Sequence, residues 1–216
     1  MKLRGLYTIV DRGVSPGGDL VRLARDYLQG GARIIQLRDK SRLESSETRA
    51  AFRETAKGIA AWKQEFDFLF IVNDALETAL EVGADGVHVG KDDCSIEECR
   101  RRLVRRGEVL SPLLVGYSAH SIEEAVEAER RGADYVAFGA IFPSPTKGPG
   151  HPIQGIEKLR EVVGTLRVPV VAIGGIGRDN IKDVLATGVA SVAMISSLAK
   201  LKDRVGETRF FTGCFK

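Results

Sequence analysis

The sequence predicts an α/β fold: a single-domain (β/α)8 barrel over residues 1–216, with eight parallel strands alternating with helices. Three observations predict it. Short apolar runs recur along the whole length, amphipathic segments separate them, and Gly-Ala or Gly-Val pairs mark the joints. The runs are residues 6–10, 32–37, 68–72, 86–89, 113–115, 135–142, 168–173 and 191–195. Runs so short and so apolar suit strands covered on both faces, as in parallel sheets. Between them, residues 20–28, 46–63, 76–82, 96–104, 122–131, 156–163, 181–186 and a last segment near 198–202 place apolar residues at helical spacing. The joints are Gly31-Ala32, Gly83-Ala84, Gly132-Ala133 and Gly188-Val189. Glycine there takes the left-handed conformation that stops a helix, and the small residue after it lets the chain turn into the next strand. Strict alternation means right-handed crossovers and a parallel sheet. An open doubly wound sheet is the alternative, but no G-x-G-x-x-G follows the first strand. Residues 204–216 stand apart as a C-terminal tail whose order is left open. Its Phe210, Phe211 and Phe215 admit three readings: packing under the barrel, an oligomer contact, or disorder.

Composition narrows the function. The net charge of +3 is too mild to imply a nucleic-acid partner. One basic cluster, Arg100, Arg101, Arg102, Arg105 and Arg106, falls on a predicted helix and reads as its solvated face. Cys94, Cys99 and Cys214 offer no even disulfide framework and no paired metal spacing, which fits a reduced, cytoplasmic compartment. No apolar stretch is long enough to cross a bilayer, and the N-terminal one is too short for a signal peptide.

In such a barrel the chemistry sits at the C-terminal ends of the strands, and polar residues gather there. The second strand ends Gln36-Leu37-Arg38-Asp39-Lys40, with Gln36, Arg38 and Lys40 on one face and Leu37 on the other. Two cations and an amide on one face call for a polyanionic ligand, unless the strand has already frayed into loop. The third strand ends Val72-Asn73-Asp74, and the fourth runs to Asp93. Asp74 and Asp93 each read either as a helix cap or, from adjacent strand ends, as one of two hard oxygen ligands completed by phosphate oxygens, the usual way to hold Mg²⁺. Ser118 closes the fifth strand, placed to donate to an anion. His88 reads as a hydrogen-bonded structural residue and His120 as a helix cap or packing residue. The sixth run ends in a stiff, hydroxyl-bearing turn with one cation, Pro143-Ser144-Pro145-Thr146-Lys147-Gly148. Strands seven and eight end in Gly174-Gly175 and Ile195-Ser196, the usual phosphate site of these barrels. Two anion sites imply two phosphorylated substrates or one phosphorylated at both ends.

Taken together, these residues resemble the thiamine phosphate synthase family. The matching pieces are Q-L-R-D-K at 36–40, N-D at 73–74, G-V-H-V-G-K-D-D at 86–93, G-Y-S-A-H at 116–120, F-P-S-P-T-K at 142–147, A-I-G-G-I at 172–176 and M-I-S at 194–196, so the resemblance runs from residue 6 to 198. No single piece is specific; all seven in order are. The resemblance implies transfer of a hydroxymethylpyrimidine group from its diphosphate to a thiazole phosphate, with release of diphosphate. It implies that Gln36, Arg38, Lys40, Asn73, Ser118 and Lys147 contact the pyrimidine diphosphate, with Arg38, Lys40 and Lys147 catalytic, and that Leu37 and Asp39 belong to the substrate-binding set. It implies that Asp74 and Asp93 hold Mg²⁺, and that Ser144, Pro145, Thr146, Gly175, Ile195 and Ser196 contact the thiazole phosphate.

Three positions depart from the family pattern: Ala75 stands where Arg is usual, Lys91 where Gln is usual, and Ala140 where Pro is common. The segment after Lys147, Gly148-Pro149-Gly150-His151-Pro152, is stiff for a loop that closes over substrate. Two rival readings share the barrel. A thiazole tautomerase relative is expected to carry a catalytic His where this chain has Ala140. A non-catalytic phosphate-binding barrel has no need of the set Arg38, Lys40, Asp74, Asp93 and Lys147. The expected partners are small molecules, with neither nucleic acid nor membrane, and a homo-oligomer is left open.

Overall fold

A computed structural model describes residues 3–15, 17–40, 45–105, 113–144 and 152–215. The strands are β1 (Gly5–Asp11), β2 (Ile34–Arg38), β3 (Leu69–Asn73), β4 (Gly86–Val89), β5 (Leu114–Ala119), β6 (Tyr135–Phe138), β7 (Val170–Ile173) and β8 (Ser191–Met194). They pair in sequence order, all parallel, and β8 returns to β1, so the sheet closes on itself. The helices are α1 (Leu20–Gln29), α2 (Ser46–Ala61), α3 (Leu76–Glu81), α4 (Ile96–Arg105), α5 (Ile122–Arg130), α6 (Gly155–Thr165), α7 (Ile181–Leu185), α8 (Ser196–Ala199) and α9 (Arg204–Gly213).

The joints work as the glycines require. Gly31, Gly83, Gly132 and Gly188 all have positive φ, between 64° and 94°. At the first, Ala32 N–H reaches back to the Tyr27 carbonyl at 3.0 Å and satisfies an orphan acceptor of α1. Helix starts are capped by short polar side chains: Asp19 on α1, Ser45 on α2, Ser121 on α5 and Asp203 on α9.

Alternation splits the core in two. One set of side chains, including Leu6, Val10, Ile35, Leu37, Phe70, Val72, Val87 and Val192, faces the helices. The other, including Tyr7, Ile9, Ile34, Leu69, Ile71, Tyr135, Val171 and Ala193, fills the barrel interior. Each fully buried apolar side chain of this size contributes about 1.5–3 kcal/mol. Space inside is made by glycine: a Cβ on Gly116 would lie 2.0 Å from the Tyr135 ring.

Three elements differ from the sequence reading. The sixth strand stops at Phe138, not 142. Beyond it the chain folds over β7, where Ile141 N–H donates to the Ile173 carbonyl and Phe142 N–H to that of Gly174, both at 3.0 Å. The fifth strand instead runs on to Ala119, so Ser118 lies within the ladder. The eighth ring helix is not the segment near 198–202, which forms only the single turn α8. It is α9, inside the tail left open above. α9 packs on α1, α8 and β1. Gly30 lets it come close, since a Cβ there would lie 2.4 Å from Thr208 Cβ. Phe211 is fully buried, while Phe210 is exposed under the Arg178 guanidinium, 3.8 Å from its ring centroid.

Candidate active site

The C-terminal end of the barrel opens into a cavity of about 490 Å³. Of the predicted residues, Gln36, Arg38, Asn73, Ser118, Ser144, Gly175, Ile195 and Ser196 line it. Those residues come from six strands or strand-end loops, so closure alone brings them together. Lys40, Asp74 and Asp93 meet one another past the ends of β2, β3 and β4 and are not among the lining residues. Pro145, Thr146 and Lys147 lie outside the described residues. Leu37 turns its side chain away from the cavity: it is fully buried between sheet and helices, because β2 alternates and its neighbours Gln36 and Arg38 take the inner face. Asp39 is half-buried past the strand end and is not among the lining residues.

The charged residues arrive already partnered. Arg38 donates to the Asp11 carboxylate, which is 2 % exposed and is also held by Val14 N–H at 3.0 Å. Asp11 and Arg38 are register partners at the ends of β1 and β2. Lys40 Nζ lies 2.6 Å from Asp74 Oδ2 and 3.3 Å from Asp93 Oδ1, so the two carboxylates converge on one point. Neither caps a helix: α3 is entered through Ala75 without a side-chain cap, and Ser95 Oγ accepts from Glu98 N–H at the start of α4. Asp74 sits in the left-handed region, φ 61°, uncommon for a residue other than glycine. Burial, and then the neighbouring Asp93, push its pKa up to about 6 against the pull of Lys40. Burial acts the same way on Asp93, but hydrogen bonds from Asp74 and from Gly90 N–H outweigh it and hold that carboxyl below the usual range. Two carboxylates around a single cation are a hard-oxygen donor pair. Among the described residues no group of three or more His, Cys, Asp or Glu forms a metal cage.

Beneath the mouth, a chain of buried polar groups crosses the interior. Gln36 Nε2 donates to Tyr7 Oη at 2.8 Å, Tyr7 Oη meets Tyr135 Oη at 2.9 Å, and Tyr135 Oη meets His88 Nδ1 at 3.1 Å. His88 Nε2 lies 2.8 Å from Ser118 Oγ. The His88 ring stacks on Tyr135, centroids 5.5 Å apart. Burial lowers the His88 pKa to about 4, so the ring is neutral near pH 7, and burial holds both phenols protonated. Beside the chain, Asn73 Nδ2 is buried with no hydrogen-bond partner among the described residues.

Across the mouth the wall is main chain. Gly174 and Gly175 have φ of 103° and 65°, and a Cβ on them would lie 2.6 Å from Ala140 Cβ and 2.4 Å from the Pro143 carbonyl. Ala140 is itself buried and presents no titratable group where a tautomerase would need one. Sequence reasoning missed Asp11, Tyr7, Tyr135 and Lys200, which also lines the cavity. The signal for Asp11 was its parity with Tyr7 and Ile9 at the end of β1. The tyrosines carried none beyond lying in apolar runs.

The family model for thiamine monophosphate synthase matches residues 6–198. The chain belongs to that family. It is a transferase of thiamine biosynthesis. A thiamine-phosphate synthase of Pyrococcus furiosus is 41 % identical over 198 residues, covering 92 % of this chain and 88 % of the relative. The enzyme of that name from Methanospirillum hungatei is 39 % identical and covers 96 % and 95 %. A solved thiamine phosphate pyrophosphorylase from Pyrococcus furiosus superposes with a TM-score of 0.83 at 37 % identity, covering 99 % and 96 %. The family works on small molecules. Of the basic cluster on α4, Arg100, Arg101 and Arg102 are engaged by Asp134, Glu98 and Glu77. No helix among the described residues is long and apolar enough to cross a membrane.

Proposed function

We propose that this chain joins hydroxymethylpyrimidine diphosphate to a thiazole phosphate, giving thiamine phosphate and diphosphate. The observation that carries this reading is the asymmetry of one cavity mouth. Arg38 lines one side, with Lys40 two residues further along the same chain end, and Gly175, Ile195 and Ser196 line the other; Asn73, whose Nδ2 has no partner among the described residues, lines the cavity with them. That matches a ligand pair with a diphosphate at one end and a monophosphate at the other.

The C–O bond to the diphosphate breaks and its electron pair leaves with the diphosphate. The pyrimidine methylene carbon is left as a cation stabilised by the ring. The thiazole nitrogen lone pair then forms the new C–N bond. No protein nucleophile is required. Arg38 and Lys40 stabilise the charge growing on the leaving group, with Lys147 assigned the same role by resemblance. Asn73 and Ser118 orient the pyrimidine, while Ser144, Thr146, Gly175 and Ser196 hold the thiazole phosphate. Apolar walls, among them Ile9, Ala137, Ile173 and Met194, keep water from the cation. Asp74 and Asp93 have the chemistry to hold Mg²⁺ together with diphosphate oxygens. When bound, that ion adds positive charge at the leaving group.

The test is direct. Purified protein is mixed with both substrates and Mg²⁺, and thiamine phosphate is measured by chromatography. Failure to form it under conditions where a known synthase does would overturn the reading.

A further inference from the structure

The buried chain under the mouth has a direction, and the direction has a consequence for the ligand. We propose that Tyr7, Tyr135 and His88 are positioning residues that fix Ser118 as a hydrogen-bond donor toward the cavity, in a one-way chain that starts at the Gln36 amide.

Proton counting settles the direction. The five groups stand on five strands: Gln36 on β2, Tyr7 on β1, Tyr135 on β6, His88 on β4 and Ser118 on β5. The Gln36 amide nitrogen can only donate, so the Tyr7 oxygen accepts. Each phenol owns one proton. If Tyr7 donates to Tyr135, Tyr135 donates to His88 Nδ1. The neutral ring then carries its proton on Nε2 and donates it to Ser118 Oγ. Every contact is satisfied. In the opposite direction Tyr7 accepts from both neighbours, and its own proton has no acceptor among the described residues. Tyr7 is 1 % exposed, so water does not rescue that proton. An orphaned buried donor disfavours the reversed chain by roughly tenfold or more.

Ser118 Oγ is thus occupied as an acceptor by His88, and it has no other hydrogen-bond partner among the described residues. Its proton faces the cavity it lines. It selects a ligand atom with a free lone pair, a phosphate oxygen or an unprotonated ring nitrogen, and disfavours an N–H. Reversing the chain would invert that preference. The assignment of that atom to the pyrimidine diphosphate rests on the proposed function; the direction of the chain does not.

Histidine tautomers are read directly by two-bond ¹H–¹⁵N correlation on ¹⁵N-histidine-labelled, ligand-free protein near pH 7. The chain has three histidines, and His88→Asn identifies the relevant signal by its loss. The expected spectrum shows His88 with a bare Nδ1 and a protonated Nε2; the opposite tautomer overturns the proposal. Tyr7→Phe keeps the ring and removes the hydroxyl that imposes the direction. The variant should show a mixture of tautomers, with kcat reduced about tenfold at unchanged affinity for the thiazole phosphate. An unchanged single tautomer in folded Tyr7→Phe would remove Tyr7 from the chain. Should that variant not fold, the wild-type spectrum decides alone. The expected tautomer in a protein that makes no thiamine phosphate would support the chain and sink the catalytic reading.

Discussion

On the β1–β4 side of the mouth, long charged side chains face one another: Arg38 on Asp11, and Lys40 between Asp74 and Asp93. On the β6–β8 side, the one formal charge among the described lining residues is Lys200, and the wall is Gly174, Gly175 and the loop folded over them. The first side presents charge that would be costly to leave unpaired, so it is held ready by internal carboxylates. The second presents backbone, which needs no charge partner but tolerates no added atom. Each side therefore fails differently when altered.

The largest effect belongs to the charged side. Arg38→Ala leaves the Asp11 carboxylate buried without its cation and should destabilise the fold by about 3–5 kcal/mol in urea unfolding, with turnover lost as well. Unchanged stability would break the claim that this side couples folding to function. His88, beneath the same side, makes a second demand. The folded ring stays neutral down to about pH 4, whereas the unfolded ring protonates near 6.5. Between those values the unfolded chain binds the extra proton, so stability falls as pH drops through that window, by up to about 3 kcal/mol. His88→Asn should remove that part of the slope; a wild-type slope in the variant would place the acid sensitivity elsewhere.

The glycine side should respond less, and more selectively. Gly175→Ala forces a side chain into the left-handed region 2.4 Å from the Pro143 carbonyl and should cost about 1–3 kcal/mol. Its kinetic signature is a raised KM for the thiazole phosphate with that for the pyrimidine diphosphate nearly unchanged. Equal rises in both would merge the two sides. The smallest effect lies away from the mouth. Thr208 in α9 buries a hydroxyl with no partner among the described residues, so Thr208→Val should leave kinetics unchanged and stabilise by up to about 1 kcal/mol. A kinetic change there would tie α9 to the site.

Legibility differed between the same two sides. Gln36, Arg38, Asn73 and Ser118 were readable because strand parity is local and their types are out of place in an apolar run. The glycine pair was readable as a motif, but not its cause, the close approach of residues 140–143. Capping was a fair local reading of Asp74 and Asp93, and it failed because Lys40, far away in sequence, holds both. The end of β6 was overextended because residues 139–142 are as apolar as a strand, yet they bond across β7 instead of along it.

Period, parity and the glycine joints follow from each residue's nearest neighbours, and they were enough to determine eight alternating units and the face each polar residue takes. Register and closure pair residues as far apart as Gly5 and Ser191, and the hydrogen-bond chain joins Tyr7 to Tyr135, 128 positions apart. Only the tertiary structure decided that Asp11 would meet Arg38, that Tyr7 would reach Tyr135, and that α9 would close the ring of helices. Those contacts depend on how strands slide past one another and where the cylinder shuts, and no local pattern in the chain encodes either.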